Sequence, residues 1–419
     1  MSALRPPRGT HDWLAEDAAQ YRHIVETGRA IASRYGYGEI LLPIFEFSEV
    51  FHRTLGESSD VVSKETYTFE DRGGESLTLR PELTASVVRA FISNGLQESL
   101  PFKAFYHGPA FRYERPQKGR MRQFHQLGAE LLGASEVQAD IETIAMCADI
   151  LEALGLKDAV TLELNSLGDS ESRAAYREAL VAYFTQHQSA LSEDSQKRLQ
   201  KNPLRILDSK NEGDKKLCAD APKMHTYFNE ASQQFFAQLC AGLDALGIAY
   251  QVNDKLVRGL DYYNHTVFEF TTDQLGAQGT VLAGGRYDGL VKQMGGQDVA
   301  GIGFASGIER LVALCSEVGG HAAAKPAPIA LIPLGEQAEA AALKLAHSLR
   351  VQGHSIEIAY KGNMAKRMKK ADKLGACAAL ILGEDELNAG QITLRDLQSG
   401  EQKQIALTAL PEALEAYKF

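Results

Sequence analysis

The sequence predicts an α+β protein in three parts: a core of strands flanked by helices, a mostly helical insertion within it, and a small α/β domain at the C-terminus. Three observations predict it. Two apolar-rich runs, 103–113 and 123–132, are joined by a basic loop and read as one long β-hairpin. Residues 170–250 are charged and mostly helical in pattern. Beyond a small, Pro-containing stretch, GGHAAAKPAP (319–328), strand and helix patterns alternate cleanly.

Taken in order, residues 17–35 form an amphipathic helix with Tyr21, Ile24, Val25, Ile31, Ala32 and Tyr35 on one face. Asp17 with Gln20 is the expected N-terminal cap, and Gly36 the stop. EILL (39–42) is a short strand ending at Pro43. A second helix, 83–95, opens after Pro81 and closes at Gly95. Helical pattern resumes at 136–154, and the insertion has an expected soft spot at SKNEGDKK. Strands return at 264–271 and 279–284, and a helix begins near Gly307 with Ile308, Leu311, Val312 and Cys315 on one face. After the linker, IALIPL, SIEIAY and ACAALIL are strands, and 336–352 and 364–374 helices. Together they make a βαβαβ unit with a mainly parallel sheet.

Composition narrows the function. At 419 residues, 44% hydrophobic and 23% charged, the chain suits a multidomain globular protein. It begins without an apolar signal core, and no stretch is long enough for a membrane helix. Five scattered cysteines without CxxC exclude a Cys-based zinc module and suit reduced thiols in a cytoplasm. No HExxH is present, so no metal site is expected from Cys or His. The net charge of −10 would repel nucleic acid except at local patches. Two patches stand out: 112–122 at net +4 and 361–373 at net +5. Either alone reads as solvated surface charge. Both within an acidic chain point to a polyanion.

The hairpin carries the first chemical signal. Period-2 alternation in QFHQLGAEL puts Phe124, Gln126, Gly128 and Glu130 on one face, and His125, Leu127, Ala129 and Leu131 on the core face. The first face is either the floor of a binding site or a sheet face turned to water. Arg112, Arg258 and Arg310 sit beside apolar or Gly-rich strands, where a guanidinium more often meets a carboxylate or phosphate. GIGFASG misses the dinucleotide fingerprint by one residue and no Walker loop occurs, so a parallel-sheet ATP loop is not expected.

With these segments the chain resembles, from residue 4 to the C-terminus, the bacterial-type histidyl-tRNA synthetase family of class II aminoacyl-tRNA synthetases. GYGEILLPIFE is similar to motif 1, FRYERPQKGRMRQFHQLGAE to motif 2 and GIGFASGIERL to motif 3. Those three are individually loose. RPELT (80–84), VRGLDYY (257–263) and AGGRYDGL (283–290) resemble segments particular to the histidine enzymes.

The resemblance implies an antiparallel sheet as the catalytic core (1–169 and 251–320), the insertion 170–250, and an anticodon-binding domain over 329–419. It implies ATP-dependent attachment of L-histidine to tRNA(His) through a histidyl-adenylate, by a homodimer, with Mg²⁺ on the ATP phosphates. Arg258, Arg112, Glu82 and Gln126 become the catalytic set. Glu82, Thr84 and Gln126 would hold the substrate amino group. Glu130 and Tyr262, helped by Tyr263 and Tyr287, would read the imidazole. Arg112, Glu114, Arg120, Phe124, Arg258 and Arg310 would bind ATP, Arg112 at the α-phosphate. Arg112 and Arg258 also count among the histidine-binding residues, with Arg258 on the substrate carboxylate and α-phosphate. The nucleophile is already an anion, so fixed cations rather than a Ser, Cys or base are what the first step needs. Asp261 is expected to orient neighbouring groups. Arg115, Gln117, Lys118 and Arg120 are expected at the tRNA acceptor end, and Lys366, Arg367, Lys369 and Lys370 near the anticodon stem. The insertion is expected to clamp the acceptor stem. The rivals are a histidine-sensing regulatory subunit of ATP phosphoribosyltransferase, a class II synthetase for another amino acid, and a nucleotide-binding module without catalysis.

Overall fold

The computed structural model describes residues 4–55, 65–115, 120–207, 209–257, 262–276, 279–320 and 327–417. The chain divides into two compact units, Met1–Ala323 and Ala324–Phe419.

The first unit opens with α1 (Ala15–Arg34), β1 (Gly38–Glu39), β2 (Phe45–Phe47), α2 (Ser48–Leu55), β3 (Tyr67–Glu70), β4 (Ser76–Leu79) and α3 (Thr84–Ser93). The hairpin follows as β5 (Phe102–Phe111) and β6 (Gln123–Leu132), then α4 (Val137–Ala153) and β7 (Thr161–Ser166). The insertion supplies α5 (Ser170–Gln186), α6 (Glu193–Lys201), α7 (Glu212–Ala219) and α8 (Glu230–Ala245). The unit closes with β8 (Gln251–Val252), β9 (Asn264–Thr271), β10 (Thr280–Arg286), α9 (Leu290–Gln293), β11 (Gly301–Gly307) and α10 (Ile308–Val318).

Among the described residues, eight strands form one sheet in the order β1-β5-β6-β11-β10-β9-β7-β8. It is antiparallel except at its edges, where β1 pairs parallel with β5 and β8 with β7. Alternation along β6 sends Leu127, Ala129 and Leu131 into a core shared with Ile24, Val25 and Ile31 of α1, Ile144 and Ile150 of α4, and Leu311 of α10. Phe124, Gln126 and Glu130 face the opposite side, into a cavity. The insertion divides energetically. Tyr176, Leu180, Phe184, Leu199 and Ile206 form a core of their own, while α8 sends Leu239 and Leu243 into the main core.

Several local expectations are revised. Helix α1 starts at Ala15 with Leu14 at the cap position and no side-chain cap, so Asp17 lies inside the first turn. There its charge still favours the positive end of the helix dipole. EILL is not a strand along its length: Ile40 N donates to Phe105 O at 2.8 Å, but the carbonyls of Leu42 and Pro43 are taken by Arg80 Nη1 at 2.9 and 3.0 Å. The expected soft spot SKNEGDKK contains the start of α7. Asn211 caps it by accepting from Gly213 N and Asp214 N. The carboxylate of Asp214 accepts from Ser192 N and Oγ, Ser195 Oγ and Ser209 Oγ. Burial opposes its ionisation, but these donors outweigh that and lower its pKa to about 2. GIGFASG, expected only to lead into a helix, is a central strand. The first residues of the expected linker finish α10: Gly319 adopts φ +67° and Gly320 N bonds Cys315 O at 2.9 Å.

The second unit contains β12 (Ile329–Leu334), α11 (Glu336–Val351), β13 (Ile356–Ile358), α12 (Met364–Lys373), β14 (Ala378–Gly383), α13 (Glu384–Asn388), β15 (Gln391–Asp396), β16 (Gln402–Ala406) and α14 (Leu410–Ala413). Its sheet runs β13-β12-β14-β15-β16. The first three strands are parallel, as the alternating pattern requires, and β15 and β16 add an antiparallel hairpin that the sequence reading did not include.

Candidate active site

The central strands β6, β11, β10 and β9 floor a cavity of about 330 Å³. Its lining brings together Glu82, Thr84, Arg112, Glu114, Arg120, Phe124, Gln126, Glu130, Tyr262, Tyr263, Tyr287 and Arg310. These residues come from six separate stretches of the chain. Of the other residues singled out in the first unit, Arg115 is exposed outside the cavity, and Arg258, Asp261, Gln117 and Lys118 lie outside the described residues.

The inner end is built around one carboxylate. Glu130 is 1% exposed. Its Oε1 accepts from Thr84 Oγ1 at 2.7 Å and Tyr106 OH at 3.0 Å, and its Oε2 from Tyr287 OH at 2.5 Å. A carboxylate has roughly four acceptor directions, so Oε2 keeps one for a ligand. Burial raises the Glu130 pKa to about 8, in spite of the three hydroxyls that favour its ionised form. Two glycines make this possible. A Cβ on Gly303 would overlap the Glu130 carboxylate, and one on Gly128 would overlap the Tyr106 hydroxyl. The tyrosines close the ring-shaped wall: Tyr262 and Tyr263 centroids are 4.7 Å apart, and Tyr262 meets Tyr287 edge-on at 5.7 Å.

Tyr287 is itself clamped by its neighbours. Its N–H donates to Gly301 O at 2.7 Å, and Asp288 Oδ1 accepts from Gly301 N at 3.0 Å. Arg286 is fully buried and donates through Nε to both oxygens of Asp140, at 3.2 and 3.1 Å. Its Nη1 reaches Ala134 O at 3.0 Å and Asp288 Oδ1 at 3.1 Å. The segment RYD thus uses a buried arginine and a partly exposed aspartate to fix the phenol between them.

A second carboxylate stands beside the first. Glu82 accepts from Thr84 N at 2.6 Å and Ala85 N at 3.0 Å, at the N-terminus of α3. Burial raises its pKa, while those amides and the Arg112 charge pull the other way. Gln126 Oε1 is buried without a hydrogen-bond partner among the described residues. Two acidic groups and an unanswered acceptor make a niche suited to an ammonium group.

The outer end is cationic. Arg112 Nε donates to Pro81 O at 2.9 Å, and its guanidinium lies 5.3 Å from the Phe124 ring centroid. Arg310 Nη1 donates to Thr280 O at 2.6 Å. Burial lowers the Arg310 pKa, and the charges of Arg120 and Arg112 push the same way, a sign that the three cations converge. Arg120 pairs with Glu114 at 3.0 Å. Three crowded guanidiniums against a ring describe a seat for a polyanion carrying a flat group.

Sequence reasoning missed Tyr106, Glu309 and Glu269. Glu309 accepts from His125 N at 2.9 Å and also meets His125 Nδ1 at 2.9 Å, which explains a histidine on the core face of β6. Glu269 lines the cavity and accepts from Thr280 Oγ1 at 2.7 Å. The signal for Tyr106 was the glycine on the cavity face of β6, because Tyr106 pairs with Gly128 in the hairpin register and its hydroxyl fills that gap.

In the second unit, Lys366, Lys369 and Lys370 are exposed on α12, but Arg367 is not on that face. It is 7% exposed, with Nε donating to Gly362 O at 2.7 Å, Nη1 to Pro333 O, and Nη2 paired with Glu339 at 2.7 Å. Its donors hold the helix to the sheet, so the expectation that it contacts tRNA is corrected.

Comparison with known proteins gives consistent matches. A family model described as histidyl-tRNA synthetase matches residues 9–311, and one described as an anticodon binding domain matches 329–417. The histidine–tRNA ligase of Rhodospirillum rubrum is 56% identical, covering 99% of both chains, and that of Gluconobacter oxydans is 56% identical with the same coverage. Among solved structures, apo histidyl-tRNA synthetase of S. aureus superposes with a TM-score of 0.84 at 37% identity, covering 98% of this chain and 99% of that one.

Proposed function

From the premise that the chain belongs to the histidyl-tRNA synthetase family, we propose a residue-level route by which it performs that family's reaction. The chain is a class II aminoacyl-tRNA synthetase that charges tRNA with histidine, using ATP. The regulatory-subunit and other-amino-acid readings are less supported, because the relatives named histidine–tRNA ligase align over its whole length.

The observation that carries the route is Glu130, buried and wired to three hydroxyls, at the far end of a cavity from three converging arginines. Histidine enters with its imidazole at Glu130 and Tyr262. Its ammonium group lies among Glu82, Gln126 and Thr84, whose hydroxyl can accept from it while donating to Glu130. That leaves the substrate carboxylate pointing to the arginine end. There Arg112 holds the ATP α-phosphate, and Phe124 and Arg310 enclose the adenine. Arg258, beyond the described residues, is assigned to the carboxylate and α-phosphate, and Glu114 and Arg120 to the nucleotide.

In the first step a carboxylate oxygen bonds to the α-phosphorus and the bond to pyrophosphate breaks, giving histidyl-adenylate. The nucleophile carries its own negative charge, so no protein base is required. The barrier comes from bringing two anions into line, which fixed guanidiniums lower by position and charge. The second step transfers the acyl group to a 3′-terminal ribose hydroxyl of tRNA with release of AMP.

Mg²⁺ enters as part of the nucleotide. No group of three or more His, Cys, Asp or Glu suited to a metal occurs among the described residues, whereas Glu114 and Glu269 line the cavity singly. An ion carried by the nucleotide would keep phosphates and waters as its main ligands and would supply charge neutralisation at the pyrophosphate. Homodimerisation is supported by an exposed apolar surface on Leu41, Ile44, Phe45, Phe47 and Phe69. The remaining tRNA contacts assigned are Arg115, Gln117, Lys118 and Arg120 at the acceptor end, and Lys366, Lys369 and Lys370 in the second unit. No helix among the described residues is long and apolar enough to cross a membrane. The assigned compartment is the cytoplasm, which suits five free cysteines.

Exchange of labelled pyrophosphate into ATP tests this reading. Histidine alone among the amino acids should support it; exchange with proline, threonine or glycine, or none at all, would refute it.

A further inference from the structure

The last helix of the insertion carries two neighbouring phenylalanines with different tasks. Phe236 of α8 packs with the insertion's own core and meets Phe228 edge-on at 6.4 Å. Phe235, with Leu239 and Leu243 four and eight residues on, lies on the side of α8 that packs against the main core. On that side Gly242 leaves no room for a Cβ beside Ile141, so α8 lies close against α4 at the residue after Asp140. There Phe235 meets two partners. The Arg286 guanidinium lies 5.4 Å from its ring centroid, and the His265 ring lies 4.7 Å away at an interplanar angle of 33°.

Both partners adjoin the tyrosines of the inner pocket. Arg286 ends β10 immediately before Tyr287, and His265 on β9 follows Tyr263 by two residues. The N–H groups of Arg286 are spent in its own plane, on Asp140, Asp288 and the carbonyls of Ala134 and Glu136. The flat face of a fully buried guanidinium makes no such bonds, and an aromatic ring is the cover it pairs with best. His265 is fixed in turn by its backbone, whose N–H donates to Gly168 O at 2.9 Å and whose oxygen accepts from Leu167 N at 2.7 Å. We infer that Phe235 is a positioning residue for histidine recognition, bracing from the insertion both chain segments that carry Tyr262, Tyr263 and Tyr287. It does not line the cavity and acts through Arg286 and His265. Helix α8 then serves the amino-acid pocket, whatever the rest of the insertion does with tRNA. The inference rests on the assignment of those tyrosines to the imidazole.

The test is pyrophosphate exchange by the full-length protein, with KM measured separately for histidine and for ATP and thermal melting to show that each variant folds. Phe235→Ala should raise KM for histidine about fivefold, the size of a ring–cation contact out of water, and leave KM for ATP within about twofold. Phe235→Tyr, which keeps the ring, should stay within about twofold for both substrates. Phe235→Leu fills the space without a flat face, and should still raise KM for histidine about threefold; it carries the test if the alanine variant does not fold. Equal rises in KM for the two substrates, or a KM for histidine at the wild-type value in the leucine variant, overturn the inference, because the ring would then only fill space. Tyr287→Phe separates this from a failure of the pocket assignment. It removes a hydroxyl from Glu130, and an unchanged KM for histidine there would withdraw the reading on which the inference rests.

Discussion

The two ends of the cavity solve opposite electrostatic problems. At the inner end a carboxylate is taken out of water, surrounded by hydroxyls and pushed by burial to a pKa of about 8. At the outer end three guanidiniums are crowded together, and although burial lowers the pKa of Arg310, a guanidinium stays charged at neutral pH. The inner end discriminates by hydrogen bonds that are costly to leave unmade. The outer end drives chemistry with charge that does not titrate. Variants at the two ends should therefore fail in different ways, and that difference can be measured.

The largest effect is expected from Glu130→Ala. It strands the hydroxyls of Thr84, Tyr106 and Tyr287 in a dry site, and kcat/KM for histidine in pyrophosphate exchange should fall by about 10⁴-fold. Next, Arg112→Lys keeps the charge but loses the donor that meets Pro81 O. It should lower kcat by about 10²-fold with little change in KM for histidine, the signature of an interaction that strengthens in the transition state. A similar rise in KM at both ends would blur the distinction. Tyr106→Phe removes one of the three hydroxyls on Glu130, and KM for histidine should rise about tenfold with kcat less affected.

The smallest effect concerns pH. The folded Glu130 pKa is raised above its unfolded value of 4.5, so between about pH 4.5 and 8 the folded protein binds the extra proton. Stability of the unliganded protein should therefore fall as pH rises through that window and level off above it. Glu130→Gln should lose this component, seen as a wild-type melting temperature that declines more steeply from pH 6 to 8 than the variant's.

Much of this arrangement was legible in the sequence where the chain obeys a local period. The alternation in QFHQLGAEL separates Glu130 from the core because a half-buried strand repeats every two residues. What surrounds Glu130 was less legible: Tyr106 is signalled only by the gap at Gly128 opposite it in the hairpin, and Tyr287 comes from 157 residues away, a meeting no local pattern reports. Gly303 appeared as one glycine in a loose motif, whereas its reason is the volume of a carboxylate on the neighbouring strand. Arg367 misled in the other direction. Within a run of lysines it reads as one more surface cation, yet it occupies an inner position of α12 and spends its donors on the fold. The apparently soft, polar stretch likewise holds the start of a helix, capped by Asn211, with Asp214 of its first turn bonded to three serines.

The central claim is that one cavity holds a buried carboxylate for the imidazole at one end and converging arginines for the triphosphate at the other. A crystal structure with histidinol and ATP bound tests it most directly. The account predicts an imidazole nitrogen within hydrogen-bonding distance of Glu130 Oε2 and the α-phosphate on the Arg112 guanidinium. An imidazole seated elsewhere, or a triphosphate turned away from Arg112 and Arg310, would contradict it.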